Sequence, residues 1–427
     1  MSFIDNQSKP LSISSSFESK FICELNRKKL LHQCTNLELI DQLTKNNKKI
    51  VAYIGFDCTA RSLHIGNLIQ IMILRLLQKL GHRPIVLIGG GTSMIGDPTG
   101  KNKMRKVLSE DEIETNIQGI KKSLSKFIKF ESESSNNFSD AILVNNNDWL
   151  KNIGYIEFLR NFGSKISVNQ MLTKDVIKNR LHNNQHLSLL EFNYMLLQGY
   201  DFHHLYQNYN CVLQIGGSDQ WTNIISGVDM VGSDKIVGLT TKLLTTSTGE
   251  KMGKTVDGAV WLNEDMCSPY EYFQYWRNIA DEDVIRFAEM YSEMNDEELK
   301  ALKEFTDINY AKKTLALHLT EMCHGKIEAQ LALDKSINLF ENKNNDLSLF
   351  DNYKIDSLPV VLSDILVQYG HCKSKKQAKD LIIGGAIMLD DVKILDVSYM
   401  ITASNFTNKS KLKLTIGKKK HLILRCT

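Results

Sequence analysis

Residues 51–88, VAYIGFDCTARSLHIGNLIQIMILRLLQKLGHRPIVLI, predict the fold of the first half of the chain. The run 51–56 is short, apolar and β-branched, which is typical of a buried strand, and 85–88 has the same character. Between them apolar side chains recur at helical spacing, and this helix begins near Gly66 and ends before Pro84. Two strands joined by a helix form a βαβ unit, so we predict an α/β fold with a Rossmann-like, doubly wound parallel sheet.

The remaining sequence divides into further segments. Strands are predicted at 141–144, 211–215 and 236–244, and a long helix at 189–206. Ser268, Pro269 and Glu271 form a capping-box signature that begins a run of helices. A polar, Asn-rich stretch then leads to a small α+β module. We therefore expect an N-terminal extension (1–28), an α/β domain (29–265), a helical domain (266–345), a linker (346–357) and a small α+β domain (358–427).

Composition and charge narrow the class of protein. The 427 residues carry a net charge of +3, but residues 358–427 hold twelve Lys/Arg against five Asp/Glu, so this end is +7 and the rest −4. Such a basic module favours a nucleic-acid partner. The eight cysteines lack CxxC spacing, so we expect neither a protein-ligated metal nor disulfides. No apolar run reaches the ~18 residues of a membrane span, and the first residues do not resemble a targeting signal, so we expect a cytoplasmic protein without membrane association.

Two short motifs point to ATP chemistry. His64-Ile65-Gly66-Asn67 lies where the first strand leads into the first helix, so backbone amides and polar side chains are available to an anion. On its own, the sequence His-Ile-Gly more often contains a histidine that packs beside a helix start or caps it. The stretch 249–255, GEKMGKT, places Lys251 and Lys254 around a glycine, which suits a triphosphate, although most lysine loops are solvated turns. Together and in this order, the motifs resemble the paired signatures of class I aminoacyl-tRNA synthetases.

From about residue 30 to the C-terminus the chain resembles bacterial-type tyrosyl-tRNA synthetases. The segments that carry the resemblance are YIGFD at 53–57, GDPTGK at 96–101, YMLLQGYD at 194–201 and QIGGSDQW at 214–221. This resemblance implies an enzyme that activates tyrosine with ATP and transfers it to the 3′-terminal adenosine of tRNA(Tyr). It also implies a homodimer and a requirement for Mg²⁺ with ATP. By the same resemblance, 29–265 is the catalytic domain, 266–345 a helical tRNA- or anticodon-binding domain and 358–427 a small RNA-binding domain.

The resemblance assigns roles in tyrosine binding. It implies that Tyr53 and Asp201 hydrogen-bond the substrate phenol, and phenylalanine would leave this buried pair unsatisfied. It implies that Asp97, Tyr194 and Gln198 bind the ammonium group of the substrate and that Gln220 binds the region of its carboxylate. The alternative from the residues alone is that Tyr194, Gln198 and Asp201 form a water-facing polar stripe of a helix.

The resemblance also assigns roles in ATP binding. Gly55, Asp57, Gly217 and Asp219 would surround adenosine and ribose. The residues near the phosphates, which would be catalytic, are His64, Asn67, Thr59, Lys101, Arg105, Lys251, Lys254 and Thr255. The tyrosine carboxylate is already ionised, so the reaction needs charge stabilisation rather than a general base.

Two positions depart from the family pattern. Asn67 stands where many relatives have histidine, and it keeps a side-chain N–H donor of short reach. Ile54 stands where many have cysteine and cannot hydrogen-bond a ribose. We therefore expect a somewhat lower affinity for ATP. An Ile54→Cys variant with an unchanged KM for ATP would contradict this expectation.

In the basic module, the segment 374–385 resembles a small RNA-binding domain shared with a ribosomal protein. The lysines expected to contact tRNA phosphates are Lys375, Lys376, Lys379, Lys418, Lys419 and Lys420. An ordinary solvated basic face is the alternative. For the whole chain, the alternatives are a tryptophanyl-tRNA synthetase, a catalytically inactive RNA-binding homologue and a small-molecule adenylyltransferase.

Overall fold

A computed structural model describes most of the chain. The described residues are 17–97, 108–135, 137–243, 245–247, 252, 254–255, 258–340, 351–355, 357–372, 374–406, 411–417 and 420–426. The chain forms two compact units, residues 1–333 and 334–427.

The first unit is built on a six-stranded sheet of order β1-β6-β5-β2-β3-β4. Its strands are β1 (Gln33–Cys34), β2 (Val51–Asp57), β3 (Arg83–Gly89), β4 (Ile142–Asn145), β5 (Cys211–Gly217) and β6 (Val237–Thr241). Strands β2 to β6 pair in parallel, and only the edge strand β1 is antiparallel. The predicted parallel sheet is confirmed, with the short edge strand as an addition. A two-stranded ribbon, β7 (Lys254–Thr255) and β8 (Gly258–Ala259), follows the sheet.

Helices connect and cover these strands. In chain order they are α1 (Lys20–Arg27), α2 (Leu37–Thr44), α3 (Leu68–Lys79), α4 (Gly90–Ser93), α5 (Glu110–Ser125), α6 (Asn147–Leu150), α7 (Tyr155–Asn161), α8 (Val168–Thr173), α9 (Asp175–His182), α10 (Leu189–Tyr209) and α11 (Trp221–Val231). The helical region then contributes α12 (Pro269–Arg277), α13 (Asp281–Tyr291), α14 (Asp296–Glu304), α15 (Ile308–His324) and α16 (Lys326–Phe340). Capping explains two of the predicted starts. Ser188 with Glu191 caps α10, and Ser268 with Glu271 caps α12.

Alternating side chains of the sheet enter two cores. Tyr53 and Ile85 pack against Phe202 of α10 on one face, whereas Ile54 and Val86 lie on the opposite face with α3. The second of these cores continues without a break into α12 to α15, where Trp276 is fully buried. The predicted helical domain therefore shares one hydrophobic core with the α/β body.

The second unit has its own core of buried aliphatic residues. Its elements are β9 (Asp351–Ile355), β10 (Val360–Val361), α17 (Leu362–Gln368), α18 (Lys375–Ile383), β11 (Ile387–Leu389), β12 (Val392–Lys393), β13 (Met400–Ile401), β14 (Lys411–Ile416) and β15 (Lys420–Cys426). Five of the strands form a sheet of order β12-β11-β14-β15-β9. The predicted small α+β unit is present, and Asp390 and Asp391 form the turn between β11 and β12 with positive φ angles.

Two segments differ from the sequence prediction. Residues 17–28 were assigned to an extension, but α1 buries Phe21, Ile22 and Leu25 in the large core because its apolar side chains share one face. Residues 351–355 were assigned to a linker, but β9 pairs in parallel with β15. Within the part of the chain that the structure describes, no helix is long and apolar enough to cross a membrane.

Candidate active site

The candidate site lies where β2 and β5 end side by side. The chain runs from β2 to β3 and β4 on one side, and then returns to β5 and β6 on the other. Adjacent parallel strands whose connections leave in opposite directions form a crevice at their carboxyl ends, where ligands bind in this class of sheet. Asp57 ends β2 and Gly217 ends β5. These two of the predicted ATP-binding residues therefore lie at this edge.

One wall of the crevice contains two buried polar atoms that have no hydrogen-bond partner among the described residues. These atoms are the Tyr53 hydroxyl and Gln214 Oε1. Tyr53 and Gln214 are paired across β2 and β5, so their side chains extend from the same face of the sheet. Tyr53 is 1% exposed, and its ring packs edge-on against Phe202 at 5.3 Å. A buried unpaired hydroxyl is costly, and a ligand that supplies its partner removes that cost.

Asp201 of α10 lies in the same buried layer. Asn146 Nδ2 donates to its Oδ2 at 2.9 Å, and Trp149 Nε1 donates to its Oδ1 at 2.8 Å. Burial raises the pKa of the Asp201 carboxyl to about 7, although both hydrogen bonds act in the opposite direction. Burial, with the nearby Asp201 charge, also raises the pKa of Tyr53 well above its ordinary value. Sequence reasoning missed Asn146 and Trp149; the one signal was their place just after a predicted strand.

Two further contacts join residues that were predicted individually as site residues. Gln220 Nε2 donates to Asp97 Oδ2 at 2.8 Å, and Asn223 Nδ2 donates to Gln220 Oε1 at 3.1 Å, which fixes the orientation of the Gln220 amide. Tyr194 is 4% exposed, and its hydroxyl lies 3.5 Å from Asp57 Oδ1, a long contact. Because Tyr194 and Asp201 are both buried, the alternative of a water-facing stripe is wrong for them. Gln198 is half-buried on the same helix.

The remaining predicted ATP-binding residues lie around this edge with different exposure. Gly55 is exposed on β2, and Thr59 is exposed in the turn after it. At Gly217, a β-carbon would lie 2.6 Å from Asp219 Oδ1, so glycine leaves room for the Asp219 carboxylate. Ile54 differs from these residues because it is 1% exposed and packs in the large core.

The His64 motif forms a short 3₁₀ turn before α3. Gly66 N–H donates to His64 Nδ1 at 3.0 Å, and His64 N–H donates to Asn67 Oδ1 at 3.2 Å. A neutral imidazole that accepts at Nδ1 carries its proton on Nε2, so His64 presents an N–H donor at its outer nitrogen. Asn67 uses its oxygen as a cap, which leaves its amide N–H group as the donor that the sequence analysis expected.

A buried hydrogen-bond network holds the chain that leads into His64. Ser123 Oγ accepts from Leu63 N–H at 3.1 Å and donates to Asn263 Oδ1 at 3.0 Å. Asn263 Nδ2 in turn donates to the Arg61 carbonyl at 3.1 Å and the Gly119 carbonyl at 2.9 Å. These residues position the motif from α5 and from the segment after β8, and sequence reasoning did not find them.

The two signature motifs meet at Gly66. A β-carbon on Gly66 would lie 2.8 Å from the Met252 carbonyl oxygen, so only glycine allows this approach. Met252 itself is 3% exposed and belongs to the large core. The sequence separates these residues by nearly 190 positions, and the fold places their backbones in contact.

Several predicted residues cannot be located. Lys101, Arg105, Lys251, Lys418 and Lys419 lie outside the described residues. Lys254, Thr255 and Lys420 are described for their backbone alone, in β7 and β15.

The predicted tRNA-binding lysines whose side chains are described lie on α18. Lys375, Lys376 and Lys379 are all exposed, and Lys375 forms an ion pair with Asp364 at 2.7 Å. Ser374 caps the helix by accepting from Gln377 N–H at 3.3 Å. Lys375 and Lys376 lie in the first turn of α18, where positive charge opposes the helix dipole, and Lys379 lies one turn further along. Their positive charge is available to an anionic partner.

Known proteins resemble this chain along almost its full length. Residues 45–341 match the family model described as tRNA synthetases class I (W and Y), and residues 345–424 match that of the Tyrosine--tRNA ligase SYY-like C-terminal domain. A Tyrosine--tRNA ligase of Rickettsia bellii is 51% identical over 413 residues, which cover 95% of this chain and 99% of that protein. One of Orientia tsutsugamushi (strain Ikeda) is 50% identical over 417 residues, with the same coverage. Among solved structures, a C-terminally truncated mitochondrial tyrosyl-tRNA synthetase of Aspergillus nidulans has a TM-score of 0.66 and 29% identity, covering 75% of this chain and 94% of that one.

Proposed function

Because the chain belongs to the class I tRNA synthetases, in their tyrosine–tRNA ligase branch, we propose that it charges tRNA(Tyr) with tyrosine for protein synthesis. ATP is its second substrate. In the first step, a tyrosine carboxylate oxygen attacks the α-phosphorus, the bond to the β-phosphate oxygen breaks, and tyrosyl-adenylate and pyrophosphate form. In the second step, a ribose hydroxyl of the tRNA 3′-terminal adenosine displaces AMP.

The observation that carries this proposal is the buried polar layer of Tyr53 and Asp201. The Tyr53 hydroxyl lacks a partner among the described residues, and Asn146 and Trp149 hold the Asp201 carboxylate in place. A substrate phenol satisfies both groups by donating to the carboxylate and accepting from the tyrosine hydroxyl. Phenylalanine would leave the Tyr53 hydroxyl buried without a partner and would give the Asp201 carboxylate no donor beyond Asn146 and Trp149. The indole of tryptophan has one donor and no acceptor, so it satisfies Asp201 alone.

The rest of the substrate extends from this layer toward the strand ends. Asp97, Tyr194 and Gln198 would bind the ammonium group, and Gln220 the region of the carboxylate. Support comes from the Gln220–Asp97 hydrogen bond and from the burial of Tyr194. An ionised carboxylate needs no general base, because its own lone pair attacks phosphorus once it is correctly placed.

The phosphates would lie at the His64 turn. The His64 Nε2–H and the Asn67 amide would donate to phosphate oxygens, at the point where α3 begins. Gly55, Asp57, Gly217 and Asp219 would surround the nucleoside. By family resemblance, the remaining phosphate contacts are Thr59, Lys101, Arg105, Lys251, Lys254 and Thr255.

Amino-acid-dependent exchange of pyrophosphate into ATP tests this function. We expect exchange with tyrosine and little with phenylalanine or tryptophan. Exchange with tryptophan alone would identify a tryptophanyl enzyme, and exchange with no amino acid would identify a catalytically inactive homologue. Either result would contradict the proposal.

We also propose that Mg²⁺ accompanies ATP. Among the described residues, no group of three or more His, Cys, Asp and Glu side chains is placed to hold a metal ion. The phosphate oxygens of ATP would carry the ion, where it neutralises charge on the leaving pyrophosphate. Removing Mg²⁺ with a chelator should abolish exchange, and adding it back should restore activity.

A homodimer is supported by an apolar surface on α7 to α10. Eight of the 18 large hydrophobic side chains that are exposed among the described residues fall between positions 155 and 190. They are Tyr155, Ile156, Leu159, Val168, Leu172, Leu181, Leu189 and Leu190. Such a concentration of exposed apolar side chains in one stretch of the chain is typical of an interface, and a second copy of the chain offers the same apolar side chains. Light scattering should give the dimer mass, and Ile156→Lys should shift it toward the monomer.

The remaining proposals concern the second unit and the location of the enzyme. The small unit would hold tRNA through Lys375, Lys376 and Lys379, together with Lys418, Lys419 and Lys420. The domain division follows the sequence analysis, with α1 added to the catalytic domain and β9 to the small RNA-binding domain. Because translation takes place in the cytoplasm, we assign the enzyme to that compartment.

A further inference from the structure

Helix α13 contacts the segment around Lys251 at three separate points. The side chains involved are Asp283, Arg286 and Tyr291. Their partners, Thr245, Ser247 and Met252, lie on both sides of Lys251 in the sequence. None of the three helical residues belongs to a motif that the family resemblance supplied.

The first contact is made by Asp283, whose side chain is only 3% exposed. Its Oδ2 accepts from the Ser247 backbone N–H at 3.0 Å and from the Ser247 hydroxyl at 3.1 Å. A buried carboxylate requires hydrogen-bond donors of this kind. Because both the backbone and the side chain of Ser247 donate to Asp283, the two bonds hold Ser247 in one position.

The second contact is made by Arg286, one turn further along the helix. One of its guanidinium nitrogens donates at 2.6 Å to the Thr245 carbonyl and at 2.6 Å to Asp283 Oδ1. Arg286 therefore bridges the carboxylate and the backbone two residues before Ser247. The three groups form one charged, hydrogen-bonded clamp.

The third contact is made by Tyr291 at the end of α13. Its ring is 1% exposed and packs edge-on against Trp276 at 5.6 Å. Its hydroxyl donates to the Met252 sulfur at 3.2 Å. Because the Met252 carbonyl lies against Gly66, this contact connects α13 to the His64 turn through a single residue.

From this arrangement we propose that Asp283, Arg286 and Tyr291 are positioning residues for adenylate formation. They hold Thr245, Ser247 and Met252, which flank Lys251 in the sequence. The inference rests on the proposed function, because that function gives Lys251 its role at the leaving pyrophosphate. It assigns to the helical region a direct part in the first chemical step.

A purely structural role for α13 predicts a different result. Loss of a structural contact either lowers stability and weakens the binding of all ligands together, or changes neither stability nor binding. Loss of a positioning contact lowers the rate of the step that uses the positioned group, and tyrosine affinity stays the same because the phenol site lies on the other face of the sheet. The rate and the affinity must therefore be measured separately.

The experiment compares three variants of the full-length chain with the wild type. Asp283→Asn keeps the shape of the side chain and removes its charge, and Tyr291→Phe removes one hydroxyl from a ring that stays packed. Glu282→Gln is the matched control, because it removes the same charge from the adjacent, exposed position of α13. For each protein we would measure the single-turnover rate of tyrosyl-adenylate formation, the Kd for tyrosine and the thermal unfolding curve.

We expect Asp283→Asn to lower the rate roughly tenfold and Tyr291→Phe roughly threefold, each with an unchanged tyrosine Kd, and Glu282→Gln to match the wild type. Wild-type rates in both test variants, or a parallel loss of tyrosine affinity, would overturn the inference. If Asp283→Asn does not fold, Tyr291→Phe decides the question alone by the same two measurements. Failure of the wild type to form adenylate would instead contradict the proposed function.

Discussion

At the scale of single residues, the phenol site combines two groups with opposite requirements. Asp201 is buried, so the free protein favours its protonated form, and its pKa is raised to about 7. A tyrosine hydroxyl that donates to Asp201 requires the ionised form. Substrate binding and carboxyl ionisation are therefore linked, and the hydrogen bonds from Asn146 and Trp149 reduce the cost of the charge.

The first prediction is a pH-dependent affinity for tyrosine. Because only the ionised carboxylate accepts from the phenol, the Kd should be nearly constant above pH 7 and should rise as pH falls below it. Between pH 8 and pH 6 the Kd should increase roughly tenfold, as expected when one proton with a pKa near 7 competes with binding. Equilibrium dialysis over this range measures it.

The control for this prediction is Asp201→Asn, which cannot ionise. Its tyrosine affinity should be weaker than that of the wild type at pH 8 and nearly the same at both pH values. A wild-type Kd that does not change between pH 6 and pH 8 would show that Asp201 does not titrate against the substrate.

The second prediction concerns Tyr53→Phe. The Tyr53 hydroxyl has no partner among the described residues, so its removal should leave the free energy of unfolding unchanged or slightly higher. The same change should weaken tyrosine binding about 3- to 10-fold, as expected for one hydrogen bond of about 0.5–1.5 kcal/mol, and leave phenylalanine binding unchanged. Chemical denaturation and binding titrations with both amino acids separate these effects. A large loss of stability would mean that the hydroxyl serves the fold.

At the scale of elements, the site depends on close contacts between segments that are distant in sequence. The His64 turn is held by α5, by Asn263 and by Met252, and each contact involves backbone atoms. Backbone contacts tolerate little displacement because interiors are close-packed. The precise position of His64 therefore depends on α5 and Asn263, which carry none of the proposed catalytic groups, and on Met252 of the second signature motif.

The third prediction tests the contact between the two signature motifs. Gly66→Ala places a β-carbon 2.6 Å from His64 Cε1 and 2.8 Å from the Met252 carbonyl oxygen, so both the His64 ring and the Met252 backbone must move away from the turn. We expect a loss of about 1–3 kcal/mol in the free energy of unfolding, as for other overpacked sites, and a lower rate of adenylate formation. Thermal unfolding and pyrophosphate exchange measure the two effects.

Gly154→Ala is the matched control for this variant. A β-carbon at Gly154 would have its nearest neighbour at 3.8 Å, which is ordinary van der Waals contact. Both the stability and the exchange rate of this protein should match the wild type. An equal loss in the two glycine variants would refute the argument from the Met252 contact.

At the scale of the whole molecule, the two units have separate hydrophobic cores and different charge. The larger unit contains all the residues proposed for tyrosine activation, and the small unit carries the basic excess. Tyrosine activation and tRNA affinity should therefore respond to different substitutions.

The fourth prediction uses this separation. The double variant Lys375→Ala/Lys376→Ala should raise the KM for tRNA and should reduce the salt dependence of tRNA binding by roughly two counterions. Tyrosine-dependent pyrophosphate exchange should not change. Asp364→Asn removes the ion-pair partner of Lys375 and should leave tRNA affinity the same or higher. A normal KM for tRNA in the double variant would favour an ordinary solvated basic face.

Much of the architecture could be predicted because it is encoded locally. The apolar runs that became β2, β3 and β5, the spacing of α10 and the capping box of α12 all depend on neighbouring residues. Edge strand β1 and helix α1 were missed, because a two-residue strand and an eight-residue helix carry too little periodic signal. Strand β9 was missed because its pairing partner is near the other end of the second unit.

The sequence by itself determined the parallel α/β fold, the order of the segments and the types of residue available to tyrosine, ATP and tRNA. Only the tertiary structure decided that Asn146 and Trp149 hold Asp201, that Gln214 lies beside Tyr53, and that α13 holds the segment around Lys251. The physical reason is the range of the interactions. Periodicity and capping act within a few residues, whereas burial, pKa and hydrogen-bond partners depend on groups that meet only after the chain has folded.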